Sequence, residues 1–124
     1  MASLNEVSAV RKVMEKYIEG SYTADVPLLK SIFHPDALMS GYYEGELGIG
    51  SPEPFFAELM EATSSKDAGE AYAGEVVFIH IDGDIASAAI AEDNLFGLNY
   101  MNHFHLLKVD GEWLIVSKVY TIVD

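Results

Sequence analysis

His103 and His105 are the sharpest chemical signal in the chain, two imidazoles placed at i and i+2 inside the run Tyr100 to Val109. If that run is a strand, both rings leave the same face, roughly 7 Å apart at the strand rise. An imidazole titrates near pH 6.5, so modest burial or a neighbouring carboxylate holds it ready to give or take a proton at neutral pH. His105, and after it His103, is therefore the candidate general acid or base. The plainer structural reading weighs more on residue type alone: a histidine in a half-polar hollow is most often a hydrogen-bonded wall residue.

A metal is the third use of such a pair. Gly97, five residues, then His103-Phe104-His105 matches the opening of the cupin metal motif, but the downstream glutamate and glycine are missing, and Asp110-Gly111 reads as a tight turn instead. Zinc normally takes three or more protein ligands, and His34 or His80 would have to fold back to complete a set. No metal and no cofactor is expected. Gly41, Gly45, Gly48 and Gly50 lack the spacing of a phosphate-binding loop, and Glu44, Glu46 and Glu53 would repel phosphate, so they read as hairpin and loop glycines. Ser40, Ser87 and Ser117 have no strained turn to make any of them a nucleophile.

The composition narrows the partners. Twenty Asp and Glu against seven Lys and Arg give a formal charge of -13, which repels nucleic acid and anionic membrane surfaces alike. With 50% hydrophobic and 22% charged residues, the 124-residue chain reads as one globular domain over residues 1–124 rather than a disordered tail. Cysteine is absent, which removes disulfides, thiolate metal sites and a thiol nucleophile. The uncharged stretch Leu95 to Leu107 is too short for a bilayer that demands about twenty residues, and MASLNEVSAVRK has no apolar leader core. A soluble, cytoplasmic protein is expected.

The elements that must position these residues come helices first. Leu4, Val7, Val10, Met14, Tyr17 and Ile18 recur at helical steps, with Ser3 and Glu6 as a capping box and Gly20 as the stop. A second helix is expected from about Ala24 to Ile32, with Pro27 in its first turn, and a third from Ser51-Pro52 to about Ala62. Between them Ala37 to Tyr43 reads as a strand closed by the turn Glu44-Gly45-Glu46, and Thr63 to Glu70 as a polar loop. From Ala71 the period becomes two, in runs ending at Ile81, Asp93, Val109 and Val123, with Asp82-Gly83 and Asp110-Gly111 as hairpin turns. Helices first and a meander after them is the α+β layer pattern, an antiparallel sheet wrapped round a helical layer.

Strand parity then assigns faces. Placing Lys118 and Lys108 on the outside turns Trp113, Ile115, Ser117 and Val119 inward, together with His103, His105 and Leu107. Leu114, Val116, Tyr120, Phe104 and Leu106 fall on the outer face, an apolar row that a second copy of the chain would cover. Tyr17, Phe33, Tyr42, Phe55, Phe56 and Trp113 come from elements closing on one interior, and Tyr17 and Tyr42 bring hydroxyls that need partners. The expected ligand-contact set is Tyr17, Phe33, Tyr42, Phe56, His103, His105, Trp113 and Ser117.

The element order, with Tyr17-Ile18-Glu19-Gly20, Phe33-His34-Pro35-Asp36-Ala37, Leu106-Leu107-Lys108-Val109-Asp110-Gly111-Glu112-Trp113 and Ser117-Lys118-Val119-Tyr120, resembles the nuclear transport factor 2-like superfamily. The local match is to its putative lumazine-binding branch, near the SnoaL-like proteins. The resemblance implies a cone-shaped α+β fold, three N-terminal helices packed in a strongly curved antiparallel sheet, and a pocket for an apolar or aromatic cyclic molecule such as a pterin or lumazine relative. Its enzymatic members imply an alternative, an isomerase, dehydratase or cyclase working through a pocket histidine; a dimeric accessory domain without a small ligand is the other. The Asp-Arg-Asp set of the superfamily's epoxide hydrolases cannot be assembled from Arg11, the only arginine; an isomerase set stays open, with Asp36 and Asp93 near element ends and His105 the better-placed base.

Overall fold

The computed structural model describes residues 3–124. The first helix, α1 (Leu4–Thr23), starts where the Ser3 hydroxyl accepts the Glu6 backbone N–H at 3.2 Å. The reciprocal half of the capping box is not made: Glu6 reaches across to Lys108 Nζ at 3.0 Å. Nor does Gly20 stop the helix, which runs one turn further to a left-handed Ala24 at φ 52°. Gly20 is small for a different reason, since a Cβ there would sit 2.7 Å from Leu29 of α2 (Val26–Ile32), where the two helices touch. Asp25 caps α2 by accepting the Leu28 N–H at 3.1 Å.

The chain passes without a loop into β1 (Phe33–Tyr43), turns through left-handed Glu44 and Gly45, and returns as β2 (Glu46–Gly50). Gly48 and Gly50, expected in a loop, are therefore strand residues. Next come α3 (Glu53–Glu61) and a single helical turn, α4 (Ser65–Ala68), inside the stretch expected as loop. The meander β3 (Ala73–Asp82), β4 (Ile85–Leu95), β5 (Leu98–Val109) and β6 (Glu112–Val123) completes a six-stranded sheet ordered β2-β1-β6-β5-β4-β3. One pairing departs from the antiparallel expectation: β1 lies parallel to β6, which the long intervening chain permits.

Register shifts in β1, β3, β4 and β6 mark bulges, each of which bends a strand and adds twist, and together they curl the sheet around the helices. The concave face carries Ala86, Ala88, Ile90, Phe104, Leu106, Trp113 and Ile115, packed on Val10, Met14 and Tyr17 of α1, Leu29 of α2 and Phe56 and Leu59 of α3. Small alanines on β4 let α1 sit close to the sheet.

Two face assignments are overturned. On β5, Asn102, Phe104 and Leu106 are buried while His103, His105 and Leu107 alternate with them on the exposed side. On β6 the bulge opposite His105/Leu106 breaks the alternation: Trp113 and Ile115 point inward as expected, but beyond the bulge it is Lys118 that is buried, with Val119 exposed. Ser117 pairs with His105 and shares its outer face. The physical reason is that both lysines found partners inside, Lys108 in Glu6 of α1 and Lys118 in a set of aromatic rings. Phe104, Leu106 and Tyr120 accordingly leave the expected outer row.

Candidate functional site

The helices fill one end of the cone and leave the other hollow. A cavity of about 520 Å³ opens between β1, β2, α3 and the middle of the sheet, lined by Met39, Tyr43, Phe55, Leu95, Tyr100 and Tyr120 among its walls and by Glu92, Asn102 and Lys118 as its polar floor. Its lining follows from register. Met39 and Gly41 of β1 stand beside Lys118 and Tyr120 of β6, Phe104 and Asn102 of β5 face the same two residues from the other side, and Glu92 of β4 pairs with Tyr100. Gly41 has no side chain because a Cβ there would run into the Tyr120 backbone.

Lys118 is only 3% exposed. Its ammonium lies 4.1 Å from the centre of the Phe55 ring, 5.0 Å from Tyr17 and 5.5 Å from Tyr120, so aromatic faces replace water around it. Among the described residues it forms no salt bridge. Burial pushes its pKa down to about 8, against a weaker opposing pull from the Glu92 carboxylate. At neutral pH about one amine in ten is then uncharged, against a few in ten thousand for an ordinary lysine.

Glu92, 1% exposed, is held from two sides: the Tyr72 hydroxyl donates to Oε2 at 2.7 Å and Asn102 Nδ2 donates to Oε1 at 2.7 Å. Asn102 spends its second N–H on the Ile90 carbonyl at 3.2 Å, while its Oδ1 is buried and unpartnered beside the cavity. Burial, then the Glu92 charge, raises the Tyr72 hydroxyl well above its ordinary pKa, keeping it a donor. Burial first, then the neighbouring Tyr43 and Glu92, pushes Tyr100 up to about 12. The floor thus presents one cation of weakened basicity, a carboxylate fixed in orientation and an acceptor oxygen awaiting a donor.

The residues expected to form the site are dispersed. His103 and His105 lie on the convex face, where His103 meets the edge of Phe78 at 6.1 Å, and neither lines the cavity. Tyr42 is exposed on the outer side of β1 beside Thr121, and it is the half-exposed neighbour Tyr43 that borders the cavity. Ser117 is outside with His105. Phe33, Phe56 and Trp113 are core, packed away from the cavity, and Tyr17 supports it from below through its contact with Lys118. His34 Nδ1 accepts the Asp36 N–H at 3.0 Å, and His80 pairs with Asp82 at 2.9 Å in solvent. Among the described residues no three metal-ligating side chains converge. Lys118, Glu92 and Asn102 are what sequence reasoning missed. The available signal was the bulkier apolar row Phe104 and Leu106, which belongs against the helices and drags Asn102 inward with it.

Comparison with known proteins gives three findings. Residues 5–121 match the family described as putative lumazine-binding. Two solved structures described as NTF2-like proteins of unknown function superpose over nearly the whole chain. The one from Shewanella baltica OS155 has a TM-score of 0.89 at 28% identity and covers 100% of this chain and 98% of its own. The one from Silicibacter pomeroyi DSS-3 has a TM-score of 0.87 at 31% identity and covers 99% and 100%. A curated relative, Aldolase FrzH from Cladobotryum sp, is 27% identical across 94% of this chain and 90% of its own length.

Proposed function

This chain belongs to the putative lumazine-binding family, and we propose that it binds a small, largely apolar cyclic molecule carrying a carbonyl oxygen, seated in the cone with that oxygen toward Lys118. One observation carries the reading: the cavity floor holds a buried ammonium that forms no ion pair among the described residues, ringed by aromatic faces and beside about 520 Å³ of space. A buried charge without a partner is costly, and an electron-rich ligand atom repays that cost where water cannot. Phe55 and Tyr120 supply flat walls for a ring such as the one a pteridine-dione like lumazine presents.

A second reading is favoured by the curated relative named as an aldolase: the same cavity catalyses carbon–carbon bond chemistry next to the bound carbonyl. On either reading the work is done by Lys118, not by the two histidines. The protein is further proposed to pair with a second copy through the convex face, where Val119, Leu38, Tyr42 and Leu107 leave apolar surface in place of the row first expected.

A thermal-shift panel of lumazine, related heterocycles and cyclic ketones tests the binding reading. A ligand at about one hundred times its dissociation constant adds roughly 2.7 kcal/mol to a folded state it alone recognises. Met39→Trp, which fills the cavity from β1, is expected to abolish that shift; an unaltered shift in this variant places the ligand elsewhere, and no shift with any compound rejects the reading.

A further inference from the structure

We propose that Lys118 is a covalent catalyst, its amine condensing with the carbonyl of the bound molecule to form an iminium; this rests on the cavity-binding function proposed above. Three features of its surroundings combine. Lys118 lines a hollow large enough for a small cyclic substrate. No carboxylate forms an ion pair with it among the described residues, and the pull of Glu92 toward the ammonium is smaller than the push of burial between Phe55, Tyr17 and Tyr120 toward the neutral nucleophile. A structural lysine would be expected to look like Lys108, tied to Glu6 at 3.0 Å at the closed end of the cone.

The chemistry balances without an added oxidant or reductant. Lys118 sheds one proton, taken up by the Glu92 carboxylate across the floor, and the free amine attacks the carbonyl carbon. A C–N bond forms, the carbonyl π pair moves to oxygen, and a proton passes from nitrogen to that oxygen to give a carbinolamine. Expulsion of the hydroxyl, protonated by Glu92, breaks the C–O bond and leaves an iminium and one water. The iminium is a protonated imine and carries a positive charge while it keeps its N–H; the Glu92 carboxylate, ionised again and held by Tyr72 and Asn102, acts on that charge as it does on the Lys118 ammonium and accepts a proton from the adjacent carbon. Loss of that proton gives an enamine, the nucleophile that an aldol addition needs. Tyr72 and Asn102 act through Glu92 and are positioning residues.

The test is reductive trapping. The full chain is incubated at pH 7 with cyclohexanone or benzaldehyde and sodium cyanoborohydride, and adducts are located by peptide mass mapping. Lys118 is expected to be alkylated at least tenfold faster than Lys12, Lys16, Lys30, Lys66 or Lys108, with a rate that rises through pH 8. Lys118→Arg is expected to abolish the fast phase, and Glu92→Gln to slow it with the fold intact by circular dichroism. Labelling confined to the exposed lysines while the same carbonyl compounds still raise the melting temperature would overturn the iminium and leave the binding pocket standing. Neither labelling at Lys118 nor a thermal shift overturns both.

Discussion

Replacing Lys118 by Met should make the protein more stable at neutral pH, against the usual rule that a change at a buried position costs stability. Methionine follows the same unbranched path and keeps contact with Phe55, Tyr17 and Tyr120, but carries no charge to desolvate. In the folded chain the Lys118 pKa is lowered from 10.5 to about 8, which corresponds to a penalty of about 3 kcal/mol on its protonated form. The sign follows from linkage. Below pH 8 the residue is protonated in both states and the folded state bears the full penalty. Between pH 8 and about 10.5 the folded amine is neutral while the unfolded one still binds its proton, so the wild type gains on the variant. Above that window both are neutral and the penalty is gone. At pH 7 the variant is therefore expected to exceed the wild type by about 3 kcal/mol, or by roughly 12 °C in melting temperature for a domain of this size. Urea titrations of both proteins at pH 7, 9 and 10.5 read the gap directly, and using the difference cancels the tyrosines that titrate in the same range. A Met variant no more stable than wild type at pH 7, or a gap that does not close with pH, would show that the amine is hydrated or paired and would refute the reasoning.

The convex placement of the imidazoles gives a second expectation. His103→Ala and His105→Ala should each leave the thermal shift with a cavity ligand unchanged, because neither ring reaches the hollow; loss of the shift in either variant would move the site to the outer face. The proposed pairing of two copies is read by sedimentation velocity. Val119→Arg, a charge placed at the centre of the exposed strand, is expected to convert a dimer into a monomer with an unchanged circular dichroism spectrum, and a wild type that sediments as a monomer removes the proposal.

Much of the architecture was legible because local signals and the global fold agree. The apolar stripe of α1, the proline in the first turn of α2, and the positive-φ pair Asp110 and Gly111 each act within a few residues, and each does locally what its sequence says. What escaped was non-local. The parallel pairing of β1 with β6 joins segments separated by most of the chain, and no pattern in Phe33–Tyr43 announces which neighbour it will take. β2 was hidden by Gly48 and Gly50, residues that normally argue against a strand.

The faces of β5 and β6 were misread through a single premise, that a lysine on a strand faces water. On β5 that premise set the cost of burying Lys108 against the cost of burying two imidazoles and exposing Phe104 and Leu106, and only the first was counted. Turning two large apolar side chains toward solvent forfeits about 1.5–3 kcal/mol each, more than a partly buried ion pair with Glu6 needs to offset. On β6 the parity itself failed at a bulge, so Trp113 and Ile115 were placed on the correct face and Ser117 and Lys118 on the wrong ones within the same strand. A residue that breaks the rule for its type at such a cost is where function is to be sought: natural sequences violate local preferences chiefly at sites that use the violation. By that criterion the proposal rests on Lys118, buried without an ion pair among the described residues at the floor of an open cavity, rather than on the imidazoles, which obey their ordinary preference for a polar surface.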